Sequence, residues 1–141
     1  MDKLKISIIT VAWNSKETIK NTIDSVLNQT YKNIEYIIID GASTDGTVEI
    51  VKSYGSKISR FISEPDKGLY NAMNKGIGLS TGDIVGILNS DDFYIDNKVI
   101  GKVLKEFKEK QVDSLFADLV FVKPKNLDKI VRFYDSSHFN P

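Results

Sequence analysis

The sequence predicts an α/β fold with a mainly parallel central sheet that is flanked by helices. Short runs rich in β-branched residues alternate with segments of helical periodicity from the start of the chain. Several of these runs are apolar almost throughout, which is typical of parallel strands covered on both faces. Polar residues follow directly after the strands, at the edge where open α/β sheets bind ligands.

The first strand and the first helix follow from the opening residues. Residues 6–11 are rich in β-branched side chains and predict a strand. Asn14, with Glu17 three residues later, predicts a helix start at which the two side chains cap backbone N–H groups reciprocally. The apolar face of this helix has helical spacing and consists of Ile19, Ile23, Val26 and Leu27.

A second strand, a short helix and a third strand come next. Residues 34–39 predict a buried strand that ends at Asp40. Glycine and small polar residues over 41–46 predict a loop, and a short helix is expected over residues 47–54. Residues 58–63 predict the third strand.

A third helix leads into the most apolar strand of the chain. Its apolar residues have helical spacing: Leu69, Ala72, Met73, Gly76 and Ile77. Small and polar residues over 80–83 end this helix. The run 84–88 is apolar throughout and predicts a strand buried within a parallel sheet.

The last third of the chain predicts one more helix and two strands. The helix face consists of Val99, Ile100, Val103, Leu104 and Phe107. Residues 115–122 predict a strand, 124–126 a turn, and 130–134 a strand that returns as a hairpin. Because no repeat or low-complexity segment is visible, residues 1–141 are predicted to form a single domain.

Composition excludes several classes of protein. The chain carries 19 basic and 19 acidic residues, so it lacks the basic excess of a nucleic-acid-binding protein. It contains no cysteine, which excludes disulfides and thiolate metal sites. No signal peptide and no transmembrane segment are recognisable. We therefore expect a cytoplasmic protein, with peripheral contact at the inner face of the membrane left open.

Two adjacent acidic residues, Asp91 and Asp92, come shortly after the 84–88 run. Neighbouring carboxylates repel each other, and a bound cation relieves that repulsion. Oxygen ligands suit Mg²⁺ and Mn²⁺, which proteins often bind with one or two carboxylates together with substrate phosphates. The pair therefore indicates a metal site, although a loop turn before the next helix uses the same residue types.

Three other strand ends carry residues that suit a nucleotide. Trp13 offers a flat ring, although a core position is commoner for tryptophan. Asp40 lies where doubly wound folds bind a ribose or a base edge, and a tight turn explains it equally well. Gly68 opens a helix whose N–H groups would face an anion, and Lys67 would add a positive charge. Together with the acidic pair, these strand ends favour a site for a nucleoside diphosphate.

Four sequence blocks between residues 10 and 92 carry a family resemblance. They read Thr-Val-Ala-Trp-Asn, Ile-Asp-Gly-Ala-Ser-Thr-Asp-Gly-Thr, Glu-Pro-Asp-Lys-Gly-Leu-Tyr-Asn-Ala-Met-Asn-Lys-Gly and Leu-Asn-Ser-Asp-Asp. Their order and spacing resemble the family-2 glycosyltransferases, which have the Rossmann-like GT-A fold, and most of all the bacterial enzymes that build cell-surface polysaccharides. The resemblance implies transfer of a sugar, with inversion, from a nucleotide-sugar donor such as a UDP-sugar to a glycan or lipid-linked acceptor.

The resemblance also implies roles for individual residues. Val11 and Trp13 would line the nucleoside pocket, and Asp40 would accept a hydrogen bond from the base, typically uracil. Asp91 would approach the ribose or the sugar of the donor. Asp92 would bind the divalent cation, Mg²⁺ or Mn²⁺, that sits on the diphosphate.

Two parts of the chain fit the family pattern less closely. Asp66, Lys67 and Gly68 align with a variable part of it, and of these Lys67 and Gly68 would bind the donor nucleotide. After Asp92, no block matches the acidic general base that family members carry in their acceptor-binding half. The later acidic residues on or beside predicted strands have no motif around them: Asp113, Asp118 and Asp128. We therefore expect these 141 residues to bind donor and metal and to lack the acceptor-binding part.

Three other functions compete with this one. A nicotinamide-dependent dehydrogenase needs a glycine-rich turn after the first strand, and residues 10–16 contain no glycine. A receiver-like signalling domain needs its paired acids near the first strand, whereas here they follow the fourth. A nucleotide-sugar-binding module without turnover stays open, because no general base is recognisable.

Overall fold

The computed structural model describes residues 4–138, and the chain divides into two compact units, Met1–Leu104 and Lys105–Pro141. The first unit holds a four-stranded sheet, and the second holds a two-stranded antiparallel hairpin. The single domain expected over residues 1–141 stays a prediction. Among the described residues, no helix has the length and apolar character needed to span a bilayer.

Strands and helices alternate through the first unit. The strands of the sheet are β1 Ile6–Ala12, β2 Ile34–Asp40, β3 Arg60–Ser63 and β4 Ile84–Ile87. The helices are α1 Ile19–Leu27, α2 Thr47–Ser53, α3 Leu69–Leu79 and α4 Val99–Lys110, and a 3₁₀ turn, Gly55–Lys57, follows α2. The hairpin consists of β5 Leu119–Lys123 and β6 Asn126–Tyr134, and the 3₁₀ turn Ser136–His138 follows it. The predicted α/β fold with a mainly parallel sheet is confirmed.

The strand order β3-β2-β1-β4 brings all four carboxyl ends to one edge of the sheet. Every pairing in this sheet is parallel. Ala12, Asp40 and Ser63 are register partners, so the last residues of β1, β2 and β3 lie side by side. The loops that carry the predicted site residues therefore start from one row.

Both faces of the two central strands are covered, which explains the uninterrupted apolar sequence of β1 and β2. The larger core cluster lies on the face that α1, α2 and α4 cover, and it includes Ile6, Ile8, Ile19, Ile23, Val26, Tyr36, Ile38, Val51, Ile100 and Leu104. The smaller cluster lies under α3 and consists of Ile9, Val11, Ile37, Ile39 and Ala72. Alternate residues of each strand thus enter different clusters, as the pleat requires.

Helix α3 approaches the sheet very closely at Gly76. A Cβ added at this position would lie 2.4 Å from Cγ2 of Ile9. Because Ile9 is branched at its own Cβ and fully buried, it cannot move aside cheaply. Glycine at this position therefore sets the distance between α3 and β1.

An ionic anchor centred on Glu35 holds the amino end of the sheet. The Glu35 carboxylate accepts hydrogen bonds from Ser7 Oγ at 2.6 Å, from Thr81 N at 2.8 Å and from Thr81 Oγ1 at 2.9 Å. Lys5 Nζ pairs with it at 3.2 Å. Burial opposes its ionisation, but these partners outweigh burial and lower the pKa of Glu35 to about 2. The anchor joins β1 and β2 to the turn that precedes β4.

Three local predictions were wrong. The run 84–88 was expected to be a strand buried within the sheet, but β4 lies at the end of the strand order, and its Val85 and Ile87 are 41% and 45% exposed. Helix α1 begins at Ile19 after Thr18 and has no side-chain cap, because Asn14 adopts a φ of 47° and lies outside the helix. The strand expected over 115–122 is instead Leu119–Lys123. Asp118 accepts hydrogen bonds from the N–H and Oγ of Ser136, and this contact lies beyond the last ladder pair, in which Leu119 faces Tyr134.

We expect the Glu35 anchor to make stability depend on pH. Because the folded pKa of about 2 lies below the ordinary 4.5, the ionised form stabilises the fold above pH 4.5, and this contribution is lost as the pH falls toward 2. Allowing for the partly exposed Lys5, it is on the order of 1–3 kcal/mol. Glu35→Gln should lower the free energy of unfolding in urea at pH 7 and flatten its fall below pH 4.5. The exposed Glu17→Gln serves as control, and a Glu35→Gln profile equal to it would contradict the anchor.

Candidate functional site

The buried carboxylate of Asp40 organises the carboxyl edge of the sheet. Asp40 is 0% exposed. Its Oδ2 accepts hydrogen bonds from the backbone N–H of Ser43 at 2.9 Å and from Ser63 Oγ at 2.7 Å, and its Oδ1 accepts one from Ser43 Oγ. Buried charges are tolerated when hydrogen bonds compensate for lost water, and three donors do so here. The carboxylate therefore ties the end of β2 to β3 and to its own following loop.

Ser43 extends this arrangement to the turn after β1. Its Oγ, which donates to Asp40, also accepts a hydrogen bond from the backbone N–H of Asn14 at 2.7 Å. Asn14 Oδ1 accepts the N–H of Thr44 at 3.0 Å, which supports its left-handed backbone. Asp40 thus positions the turn that contains Trp13, and the Asn14 side chain bridges two loops.

Trp13, Gly41 and Asp66 converge from the ends of three strands. The Trp13 side chain is 71% exposed, which rules out a core role. A Cβ added at Gly41 would lie 3.4 Å from Trp13 Cδ1 and 3.0 Å from Asp66 Oδ2, so the ring and the carboxylate flank this glycine. The absence of a side chain at Gly41 leaves the space between them open. A flat ring beside a carboxylate can pack against a planar ligand and accept its N–H groups.

The backbone N–H groups of Lys67 and Gly68, just before α3, already have hydrogen-bond partners within the chain. Asp66 Oδ1 accepts the N–H of Gly68 at 2.8 Å, and Asn71 Oδ1 accepts the N–H of Lys67 at 3.3 Å. The Gly68 N–H that was expected to face an anion therefore already has a carboxylate partner. As nucleotide-binding residues, Lys67 and Gly68 stay predictions.

Val11 lies deeper than a pocket residue would. Its side chain is 4% exposed and belongs to the small core cluster under α3, with Ile9 and Ala72. Parallel pairing with Ile39 fixes its backbone one row before the Ala12–Asp40 row. Any contact between Val11 and a ligand would involve its main chain, and its predicted role stays a prediction.

Asp91 and Asp92 lie in an exposed turn beyond β4. The N–H of Asp92 donates to the carbonyl of Asn89 at 3.1 Å, which closes the turn. Partial burial of its carboxyl, and then the negative charge of Asp91, raise the pKa of Asp92 above its ordinary value. The like-charge repulsion expected from the sequence is therefore present.

The acidic turn is tied to the turn of Trp13. Ser90 is 8% exposed, and its Oγ lies 2.7 Å from Ser15 Oγ in a hydrogen bond. Ser15 Oγ also lies 3.3 Å from the Trp13 carbonyl. The exposed ring and the acidic pair therefore belong to one connected edge of the sheet.

The donor set at the acidic pair fits a divalent cation that also binds substrate oxygens. Both side chains offer hard oxygen ligands. Within residues 4–138, no group of three or more His, Cys, Asp or Glu is placed to hold a metal by itself. Mg²⁺ and Mn²⁺ bound by one or two carboxylates take their remaining ligands from phosphates and water. The pair is therefore suited to a metal that arrives with a phosphorylated ligand.

Residue patterns alone did not reveal the connecting serines or the position of Asp66 beside Trp13. Ser43 lies inside one of the quoted blocks, where it read as an ordinary loop residue. Ser15 and Ser90 are 75 residues apart in sequence, so no local spacing links them. The family resemblance assigns the contact with the base to Asp40 and not to Asp66. In the structure it is the Asp66 carboxylate that lies beside the exposed ring of Trp13.

A groove of about 470 Å³ lies elsewhere, against α1 and α2. It is lined by Lys20, Asp24, Ile50, Ser53, Tyr54 and Lys57. Its polar groups are paired with one another, since Asp24 accepts from the Tyr54 hydroxyl at 2.7 Å and from Lys20 at 2.7 Å. None of the residues described above at the carboxyl ends of the strands lines this groove, so we assign the groove no part in the site.

Sequence comparison identifies related proteins. The sequence profile described as Glycosyl transferase family 2 matches residues 7–135. The UDP-Glc:alpha-D-GlcNAc-diphosphoundecaprenol beta-1,3-glucosyltransferase WfaP of Escherichia coli is 39% identical over 99 residues, which cover 70% of this chain and 39% of WfaP. The chondroitin synthase of Pasteurella multocida is 34% identical over 122 residues, which cover 84% of this chain and 12% of the synthase. The chain spans about two fifths of the length of WfaP and of similar rickettsial and mycobacterial glycosyltransferases.

Solved structures share the fold. S. aureus TarS in complex with UDP aligns with a TM-score of 0.71 and 25% identity, over 78% of this chain and 34% of the TarS chain. The mannosyltransferase PcManGT from Pyrobaculum calidifontis, solved with GDP-Man and Mn²⁺, aligns with a TM-score of 0.70 and 21% identity. That alignment covers 90% of this chain and 38% of PcManGT. These neighbours confirm the GT-A fold.

Ser43→Ala should weaken the whole carboxyl edge. The variant removes one donor to the buried Asp40 carboxylate and the acceptor of the Asn14 N–H. We therefore expect the free energy of unfolding in urea to fall by about 1.5–3 kcal/mol. Time-resolved fluorescence anisotropy should show a more mobile Trp13, which is the only tryptophan. Ser53→Ala, at an exposed serine of α2, should change stability by no more than about 0.5 kcal/mol. Equal behaviour of the two variants would show that Ser43 does not connect the loops.

Proposed function

The chain belongs to glycosyl transferase family 2, and from this premise we propose that its described residues form the nucleotide-sugar site of a sugar-transferring enzyme. The observation that carries the proposal is the meeting of Trp13, Gly41 and Asp66 on the same sheet edge as the acidic pair. An exposed ring, an adjacent carboxylate and a metal-binding turn correspond to the base, its polar edge and the diphosphate of one ligand. The donor-binding role of residues 1–141 is part of this proposal.

The nucleoside end of the donor would bind at Trp13. The ring face would pack against the base, and Asp66 Oδ2 would accept an N–H from the edge of the base. Uracil presents an N–H at ring position 3, whereas cytosine presents an acceptor there, so a carboxylate favours uracil. UDP is therefore the nucleotide that we propose, and the UDP named with TarS and the UDP-Glc in the name of WfaP are consistent with it.

Asp40 would support this pocket through its loop. A direct hydrogen bond between Asp40 and the base, which the family resemblance implies, would need one of its oxygens to be accessible. Its complete burial and its three donors favour an indirect role through Ser43 and Asn14 instead. Val11 would help through the main chain of β1, and Lys67 and Gly68 would flank the nucleotide at the start of α3.

The diphosphate would bind at the acidic turn. Asp92 would hold a divalent cation, Mg²⁺ or Mn²⁺, and Asp91 would face the ribose or the sugar. When bound, the cation would neutralise charge that develops on the leaving diphosphate. The turn itself would orient both carboxylates toward the same ligand, since its backbone is closed by the Asp92–Asn89 hydrogen bond.

Transfer with inversion needs a group that takes the proton of the acceptor hydroxyl. We assign that role to none of the described acidic residues after Asp92. Asp96 accepts from the N–H of Lys98 at 2.7 Å and pairs with Lys102, and Asp118 accepts from Ser136. Sugar transfer by these residues alone should therefore be far slower than the order of 1 s⁻¹ that is typical of enzymes.

The acceptor would be a growing glycan or a lipid-linked sugar. The name of WfaP specifies a lipid-linked diphosphate acceptor, and the name of the Pasteurella enzyme specifies synthesis of chondroitin. We propose the same broad role here, in synthesis of a surface polysaccharide. Peripheral contact with a membrane would bring such an acceptor within reach.

We expect UDP binding, measured by calorimetric titration, to depend on a divalent cation held by Asp92. EDTA should lower the affinity for UDP strongly and leave the affinity for uridine nearly unchanged, because only UDP offers phosphate oxygens to the cation. Asp92→Asn should weaken UDP in the presence of Mn²⁺ by about 10- to 100-fold, the scale of one charged interaction. Asp113→Asn, at an exposed acidic residue, should leave the metal requirement unchanged. Metal-dependent UDP binding that survives in Asp92→Asn would place the cation elsewhere.

Base selectivity should depend on Asp66. UDP should bind more tightly than CDP or ADP, and Asp66→Asn should lower the affinity for UDP by about 10-fold. The same variant should discriminate less between UDP and CDP, because an amide can donate to cytosine. Asp40→Asn should act mainly on the free energy of unfolding. If Asp40→Asn changes the UDP-to-CDP ratio and Asp66→Asn does not, then Asp40 contacts the base directly.

A further inference from the structure

Helix α1 carries a polar stripe on a face that is otherwise apolar. Thr22, Ser25 and Gln29 are spaced three and then four residues apart, the first two within α1 and Gln29 just beyond its end, so they follow one side of the helical path. Thr22 and Gln29 are each 1% exposed, and the neighbours of the stripe include the core residues Ile23 and Val26. A polar side chain at a core position costs free energy unless it is hydrogen-bonded.

Thr22 reaches the main chain on both sides of Asp91. Its Oγ1 lies 2.9 Å from the carbonyl oxygen of Ser90 and 2.7 Å from that of Asp92. The single hydroxyl proton is therefore shared between two carbonyls that bracket the first acid of the pair. Nothing else from α1 contacts these two carbonyls among the described hydrogen bonds.

The other two residues of the stripe continue along the same segment. Ser25 Oγ accepts the N–H of Tyr94 at 3.1 Å. Gln29 Nε2 donates to the carbonyl of Asp96 at 2.7 Å, and its Oε1 accepts the N–H of Ile100 at 3.0 Å. No strand or helix is present between β4 and α4, so this backbone depends on such side chains for its hydrogen bonds.

The acidic turn needs an external support of this kind. Two adjacent carboxylates push each other apart when no cation lies between them. A short turn closed by one backbone hydrogen bond resists this weakly, whereas a buried hydroxyl on a packed helix has little freedom to move. Mutating a group that orients a metal ligand from behind typically costs about 10- to 100-fold in metal affinity or activity.

We propose that Thr22 is a positioning residue for metal-dependent diphosphate binding. By fixing the carbonyls of Ser90 and Asp92, it holds the carboxylates of the acidic pair at the separation that one divalent cation and a diphosphate require, and Ser25 and Gln29 extend this support toward α4. The inference rests on the proposed function, since it assigns a residue to the same site.

The test compares Thr22→Val with Thr10→Val. Valine has the shape of threonine and lacks the hydroxyl, so Thr22→Val loses the hydroxyl that the carbonyls of Ser90 and Asp92 share, and Thr10→Val loses its one hydrogen bond to Tyr36. Thr10 is fully buried in β1, and its Oγ1 lies 3.0 Å from the hydroxyl of Tyr36, a hydrogen bond that involves no residue of the acidic turn. Both variants should lose similar stability in urea. Thr22→Ser, which keeps the hydroxyl, is the conservative variant, and Thr22→Ala is a second way to remove it.

The readout is the Mn²⁺ concentration that gives half-maximal UDP binding, with uridine affinity measured beside it. Thr22→Val and Thr22→Ala should raise that concentration by about 10-fold or more, the usual cost of losing a group that orients metal ligands. Uridine affinity should stay unchanged, and Thr22→Ser and Thr10→Val should match the parent chain. Equal Mn²⁺ requirements in the parent and in a folded Thr22→Ala or Thr22→Val chain would overturn this inference alone. A parent chain that binds UDP equally with and without Mn²⁺ would overturn the proposed function and this inference together.

Discussion

The carboxylate of Asp40 is the group on which the carboxyl edge of the sheet depends. It is completely buried and accepts three hydrogen bonds, two from Ser43 after β2 and one from Ser63 at the end of β3. Losing any one of these hydrogen bonds would leave the buried carboxylate partly unpaired. The hydrogen bonds therefore restrict the conformation of the loop after β2. Because Ser43 also accepts the Asn14 N–H, the position of Trp13 is a consequence of the same buried carboxylate.

The two ends of the sheet have different tasks. At the amino end, Glu35 is held by Ser7, Thr81 and Lys5, and a Cβ on Gly82 would lie only 2.7 Å from Ser7. That end is closed by tight contacts. At the carboxyl end, the polar contacts join loops to one another and leave Trp13 and the acidic pair facing solvent. The contacts that hold the loops in place thus lie behind the residues that would bind a ligand.

The site is assembled from separate strand ends by hydroxyl groups. Ser43 links the loops after β1 and β2, the Ser15–Ser90 pair links the loops after β1 and β4, and Thr22 holds the acidic turn onto α1. Hydroxyl side chains are short, can donate and accept at once, and lose little entropy when buried. They therefore fix loop positions without adding charges that would compete for a cation.

The sequence by itself determined the fold class, the order of the elements and the residues that lie beyond the carboxyl ends of the strands. Strand and helix periodicity is a local property, and Trp13, Asp91 and Asp92 are recognisable because they follow apolar runs within a few residues. Only the tertiary structure decided that Asn14 bridges loops and caps no helix, that Asp40 is buried while Asp66 lies beside the ring, and that Thr22 faces the acidic turn. Those outcomes depend on hydrogen bonds between residues about 20 to 75 positions apart, such as Asp40 with Ser63 and Ser15 with Ser90. A contact of that kind leaves no periodic pattern in the sequence, because it is fixed by strand order and register.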